Sequence, residues 1–374
     1  MSTHQAHHAH HLRRPAMRRE HFEQTALWIA SRQEADGLLP WARNGKMDPW
    51  DHAHAAMGLA ASGCHEAAQQ ALRWLARHQE SDGGWPMELR GREIVESTRQ
   101  TNHAAYIATA AWYLQTAEPD ILFLAELWPV VKRAIDFVVA HQLPCGGIAW
   151  AVTADGQPWR APLLTGSSSV HGSLVCAIRI AERLGRPQAG WVVAREKLAD
   201  LLCKDIGRFE NVDLAEPVGR HSMDWYYPIL GVALRGAAAR ARLQAPEQVD
   251  LYVEEGVGCR CVADQPWYTV AETCELVLAL DAAGLESRAR QVFSWVHPLR
   301  TPEGGYWTGV THPARELYPE GEQTPWTAAT VMLAADVLEG RSPTANFFRE
   351  LAGDELMRES AVADVAEVAA PAEA

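Results

Sequence analysis

An all-α fold, a single-domain (α/α)6 toroid of six helical hairpins, is what this sequence predicts, on three observations. A junction of fixed grammar recurs along the chain, long small-residue-rich helices follow at a regular period, and no sustained strand pattern interrupts them. The junctions are Ala26–Gly37, Leu72–Trp85, Ile135–Gly147 and Val292–Trp307. Each runs an apolar helical stretch into a polar residue, which is Gln33, Gln79 and Gln142 in the first three. A turn rich in Asp, Pro and Gly follows, with Gly where a helix must end in a conformation that side chains resist. The glutamines are placed to tie the last helical carbonyls to the turn.

Small-residue helices are then expected at about 49–61, 102–115, 168–184, 225–241, 270–283 and 325–339. Their starts lie two helices and their loops apart, the period of a repeat architecture. Stretches at about 17–33, 65–78, 124–141, 191–203 and 287–296 carry one apolar and one charged face and form an outer ring. The outer helix near 245–254 is short or irregular. A small β-turn element is expected at 148–155. An open solenoid would need capping repeats and a more uniform period, whereas six inner helices suffice to close a ring. The domain is expected over residues 17–353, between a disordered His-rich tail at 1–16 and an acidic, Ala-rich one at 354–374.

The 374 residues are 48% hydrophobic, enough for one large core. A formal net charge of −13 argues against nucleic acid as a partner, because phosphate binding needs a basic surface. No apolar run reaches the length of a membrane span, and the polar N-terminus is not a secretory signal. The seven cysteines are odd in number and scattered, which suits a reducing cytoplasm with mostly buried thiols. No cofactor or metal is expected: Cys259 and Cys261 offer too few ligands, and His52 and His54, two apart on a helix, do not share a face. Ser167–Ser169 with His171 lacks the strand-to-helix turn of a nucleophile elbow. Arg90, Arg92 and Arg99 read as surface charges.

In such a ring the inner helices all start at one rim, so the residues at their starts converge. There the sequence places Trp50 and Asp51, Asn102, Ser168, Asp224, Trp225 and Tyr226, Glu272, and Glu322 and Trp326, with Trp267 just before the fifth inner helix. Asp, Ser, Thr and Asn are ordinary helix caps. Capping does not explain indoles and phenols beside the acids, nor 15 tryptophans in one chain. Carboxylates, hydroxyls and aromatic platforms around one concavity suit a polyhydroxylated ligand, and glycosidic cleavage needs two carboxyl groups flanking the bond.

Residues 82–91 (Asp-Gly-Gly-Trp-Pro-Met-Glu-Leu-Arg-Gly) and 127–138 resemble the conserved run of the glucoamylase-like six-hairpin glycosidases. Glu322-Gln323 is similar to the segment that carries that family's general base, which implies Glu322 as the base. The family's acid would lie in the turn 146–151, which here has none. Either the acid comes from another rim position, with Asp224 and Glu272 the candidates and Asp51 a further rim carboxylate, or the protein is not a standard hydrolase of this type. Residues 79–85 (Gln-x-x-Asp-Gly-Gly-Trp) also resemble the QW repeat of the terpenoid cyclases, whose toroid the protein prenyltransferases share. The cyclases' DxDD acid and the transferases' zinc-binding His have no counterpart here. The leading expectation is a glycoside hydrolase acting on a cytoplasmic oligosaccharide or glycoconjugate, with Trp50, Trp225, Trp267 and Trp326 as stacking platforms. The alternatives are an isoprenoid-handling cyclase or transferase, and a non-catalytic glycan-binding toroid. A wet bowl with rim carboxylates would favour sugar, and a deep dry aromatic tunnel would favour isoprenoid.

Overall fold

The computed structural model describes residues 15–41, 45–90, 92–204, 209 and 219–353. Both expected tails fall on or beside the ends of that range: residues 1–14 and 354–374 lie outside the described residues. The chain is helix-rich. In order it forms α1 (Arg19–Ala30), α2 (Pro49–Ala61), α3 (His65–Arg77), α4 (Thr101–Ala117), α5 (Ile121–Ala140), α6 (Leu164–Arg183) and α7 (Ala189–Lys204). There follow α8 (Met223–Leu230), α9 (Gly236–Leu243), α10 (Pro246–Tyr252), α11 (Val270–Ala282), α12 (Glu286–Ser294) and α13 (Pro325–Glu339).

Helix α2 packs on α4, α4 on α6, α6 on α8, α8 on α11, α11 on α13, and α13 again on α2, so the circuit of contacts closes. Each of these six also packs on the helix that follows it: α3, α5, α7, α9, α12 and, for α13, the first helix α1. The six inner helices are buried on nearly every face, and in α2, α4 and α6 Ala, Gly and Ser are the commonest residues, whereas α8 fills its place with Trp, Tyr and Ile. By contrast α3 buries only Ala68, Ala71, Leu72, Trp74 and Leu75, one stripe at helical spacing. One apolar core runs from Met17 to Leu351. Among the described residues no helix is long and apolar enough to cross a membrane.

The junction grammar has a direct physical basis. Gln33 Nε2 donates to its own turn at Gly37 O (3.2 Å) and to Ala67 O on the next outer helix (2.9 Å). Gln79 repeats this with Gly83 O and Val130 O, and Gln142 with Gly146 O and Ala194 O. The turn glycines have φ of +98°, +103° and +95°, and a Cβ on any of them would meet a backbone carbonyl of the neighbouring outer helix within 2.8 Å. In the fourth junction Gly304 lies against Gln24 of α1, where Thr25 Oγ1 donates to Gly304 O (2.8 Å). The last junction therefore locks onto the first helix.

Three expectations change. The helix expected over 225–241 stops at Leu230, turns, and resumes as α9. Pro228 weakens the helix, and Gly231 packs so tightly on α6 that a Cβ there would lie 1.9 Å from Ser168 O. The small β-turn element at 148–155 is one of three small antiparallel sheets. They are β1 (Lys46–Met47), β2 (Glu88–Arg90) and β3 (Glu93–Glu96); β4 (Arg99–Gln100) and β5 (Ala151–Val152); and β6 (Val253–Glu254), β7 (Gly258–Arg260), β8 (Trp267–Thr269) and β9 (Gly309–Thr311). β4 runs directly into α4 and β8 into α11, so these ladders join the loops that enter the inner helices. At two to four residues each, the strands are too short to leave a period in the sequence. Arg99, expected at the surface, is buried and paired with Glu80 (2.9 Å) and Asp82 (3.2 Å), binding one junction to the next rim loop. No disulfide forms among the described residues, which include all seven cysteines; Cys176, Cys259 and Cys274 are buried, while Cys145 and Cys203 are exposed.

Candidate active site

At the starts of the inner helices lies a cavity of about 410 Å³. Trp50 and Asp51 of α2, Asn102 and His103 of α4, Leu164–Gly166 of α6, Met223 and Asp224 of α8, and Trp326 of α13 contribute to its wall. The local sequence explains the placement of Asp51. Asp48 caps α2 by accepting from Asp51 N (2.8 Å), and Pro49 sets the first helical turn, so Asp51 sits at the rim in the first turn. The loop from α5 to α6 adds Trp150 and Trp159, whose rings meet edge to face at 5.0 Å. That loop is drawn over the cavity by pairing of β5 with β4.

Four buried polar atoms on this wall have no hydrogen-bond partner: Asp51 Oδ2, Asn102 Oδ1, His103 Nδ1 and Trp326 Nε1. Buried polar atoms are nearly always satisfied, so these four are groups that a ligand in the cavity could bond. Beneath them Trp50 stacks on Tyr106 at 4.0 Å and lies 5.7 Å from Tyr227. Tyr106 also bonds His54 Nε2 (2.9 Å), and burial drives the His54 imidazole down to about 3, so that it stays neutral.

The carboxyl groups are differentiated by environment. Burial holds the Asp51 carboxyl well above the ordinary range; the charges of Asp48, Glu272 and Glu275 add to this, and Lys46 opposes it. Asp224 instead accepts three hydrogen bonds, from Thr165 N (3.0 Å), Thr165 Oγ1 (2.6 Å) and Gly219 N (3.0 Å). It pins the start of α6 to the loop before α8. Glu272, in the first turn of α11, is 6% exposed and accepts from Thr269 Oγ1. One turn deeper, Glu275 is fully buried and accepts from Tyr226 (2.9 Å) and Tyr227 (2.7 Å). Burial pushes its carboxyl up to about 8; Glu272 adds to this and the two phenols oppose it.

Glu275 therefore carries a pH signature. The folded protein binds a proton that the unfolded chain releases near 4.5, so this group's contribution to stability falls as pH rises from about 4.5 to 8. Glu275→Gln should be more stable than the parent at pH 8.5 relative to their difference at pH 5. Thermal melts at the two values check it, and equal differences would show that the carboxyl is not held protonated.

The structure gathers Trp50, Asp51, Asn102, Asp224 and Trp326 in the cavity wall, as the rim argument expected; Glu272 is not part of that wall but its charge reaches Asp51, and the remaining candidates lie elsewhere. Glu322 lines a neighbouring cavity and accepts from Thr308 Oγ1 (3.0 Å). Trp225 is buried on the outer side of α8, bonded to Arg242 O (2.8 Å) and stacked on Tyr252. Tyr226 lies below, bound to Glu275. Ser168 is buried and donates to Leu164 O within its own helix. Trp267 stacks on Tyr318 at 4.3 Å, and neither ring is part of the cavity wall. Sequence reasoning missed Gln100, Trp150, Trp159 and His221 as lining residues. The excess of tryptophan was the one signal for Trp150 and Trp159. Among the described residues no cluster of three or more His, Cys, Asp or Glu could hold a metal ion.

Comparisons with known proteins bear on the fold and the family. No family model matches the chain. The MMP endo-(1,4)-3-O-methyl-α-D-mannosidase of Mycolicibacterium hassiacum is 43% identical over 330 residues, 88% of this chain and 89% of that protein. Among solved structures, a glycosidase in complex with glucose is similar with a TM-score of 0.66 and 16% identity, covering 87% of this chain and 97% of that one. A D-mannose isomerase has a TM-score of 0.61 and 14% identity over 84% and 95% of the two chains. A sugar epimerase from a ruminal bacterium has a TM-score of 0.61 and 12% identity over 85% and 97%. These three likenesses speak to the fold, and none of these proteins handles an isoprenoid by its name. With relatedness of that extent to the mannosidase, the chain belongs to that enzyme's family and is a glycoside hydrolase.

Proposed function

We propose that the protein is an endo-acting α-mannosidase that cleaves internal linkages of a 1,4-linked mannose oligosaccharide bearing O-methyl groups. The observation that carries this is the cavity itself: aromatic and aliphatic walls with four orphaned polar atoms set among them. Indoles stack on the CH faces of a sugar, and Leu163, Leu164, Ala161 and Met223 offer the apolar contact that methyl ethers favour over water. The name of the mannosidase relative supplies the sugar and the linkage. The closed circuit of inner helices supports reading the fold as an (α/α)6 toroid with the cavity at its rim. Cysteines without disulfides agree with a cytoplasmic setting.

In this reading Asp51 is the general acid and Glu272 the general base. Asp51, kept protonated by burial and by the negative charge of its neighbours, passes its proton to the glycosidic oxygen as the C–O bond breaks. Glu272, whose charge reaches Asp51, takes a proton from the water that attacks the anomeric carbon. Asp224, with both oxygens already occupied by donors, is a positioning residue that holds Thr165 and the α6 start. This departs from the sequence expectation, which gave the base role to Glu322.

Purified protein should cut 1,4-linked α-mannosides, methylated ones best, into oligosaccharides rather than single sugars. Chromatography of the products over time tests it; release of terminal monosaccharide alone, or no cleavage, would sink the proposal. Glu272→Gln should lower kcat by about 10²- to 10⁴-fold with little change in KM.

A further inference from the structure

We propose that the neighbouring cavity, lined by Arg32, Trp41, Glu322 and Gln323, is a distal sugar subsite that holds the part of a long chain lying beyond the cleavage cavity. The proposal rests on the endo-acting reading above. The cavity measures about 210 Å³ and lies between the loop after α1 and the loop entering α13. It neighbours the cleavage cavity at the start of α13, where Pro325 lines one and the next residue, Trp326, lines the other.

Its lining has the chemistry of a sugar site. Trp41 presents an indole, steadied by Lys46 Nζ at 3.9 Å from the ring, and its buried Nε1 has no hydrogen-bond partner. Arg32 Nε is likewise buried without a partner, while its guanidinium lies over Trp28 at 4.6 Å. Glu322 spends one oxygen on Thr308 and adds a carboxylate to the wall. An aromatic face ringed by a guanidinium, a carboxylate and an amide matches a ring of CH groups edged with hydroxyls. An enzyme that cuts inside a chain must grip it on both sides of the cut, and this cavity supplies a grip that a terminal-residue cutter would not need.

The test is binding rather than turnover, so that it stands apart from the assignment of catalytic roles. Titration calorimetry on the Asp51→Asn protein would compare a mannose disaccharide with a hexasaccharide, with and without Trp41→Ala. Loss of one stacking contact is worth about tenfold, so Trp41→Ala should erase about tenfold of the hexasaccharide's advantage. Trp41→Phe should restore part of it, and Glu322→Gln should reduce it independently. If the hexasaccharide advantage survives both Trp41→Ala and Glu322→Gln, the subsite does not exist. Binding of neither sugar would overturn the subsite together with the reading it rests on. A protein that binds the long chain through Trp41 but never cleaves it would leave the subsite standing and remove only the hydrolase mechanism.

Discussion

Asp51→Asn should lower kcat/KM on a mannose oligosaccharide by about a thousandfold, within the range that general acid catalysis contributes. The loss should be much smaller on an aryl mannoside with a good leaving group, because such a group departs without a proton. This contrast separates an acid from a residue that merely shapes the cavity, whose removal would damage both substrates alike. The pH profile carries the same information. A raised carboxyl must keep its proton to act, so activity should persist above the ordinary carboxylate range and fall as pH rises through the raised value. In Asp51→Asn that alkaline limb should disappear. An unchanged limb, or equal losses on both substrates, would remove Asp51 from the acid role. Asn is the appropriate replacement, since it nearly preserves shape and leaves the cap that Asp48 makes to the backbone of residue 51.

Gly83→Ala should destabilise the fold by about 4 kcal/mol, the sum of two separate penalties. Its φ of +103° is strained for any side chain, and the new Cβ would lie 2.3 Å from Arg133 O on α5. That carbonyl belongs to helical backbone and cannot swing aside as a side-chain end could. Gly340→Ala isolates the first penalty: it sits at the C-terminus of α13 at φ +63° with nothing within 4 Å of the added carbon. It should cost about 1 kcal/mol, the usual price of a left-handed alanine at a helix end. Urea unfolding of the two variants measures both. Equal costs would mean that the turn is not pressed against α5 and that the junction does less than its geometry implies.

The junctions were legible in the sequence because each is a local device. Gln79 and Gly83 lie four residues apart, their partner is the next outer helix, and the same requirement returns at Gln33 and Gln142. The inner helices were legible for a related reason: burial on all sides demands small apolar residues throughout, a composition visible without coordinates. Asp51, Asn102, Asp224 and Trp326 followed, since the start of each inner helix lies at one level of the circuit.

Direction around each helix was not legible. A helix turns about 100° per residue, so neighbours at a helix start face different ways. Asp224 faces the cavity while Trp225 beside it is packed outward on Tyr252, and Tyr226 reaches down to Glu275. Glu322, the residue with the strongest resemblance behind it, lines a different cavity from the one that holds Asp51. Trp150 and Trp159 reach the cavity because β5 pairs with β4, two residues with two, too short a ladder to leave a pattern. Sequence by itself determined the helices, the turns that join them and the level at which the site lies. Only the tertiary structure decided which side chains meet there, because packing between helices far apart in the chain sets the rotation of each and the desolvation that raises the Asp51 carboxyl.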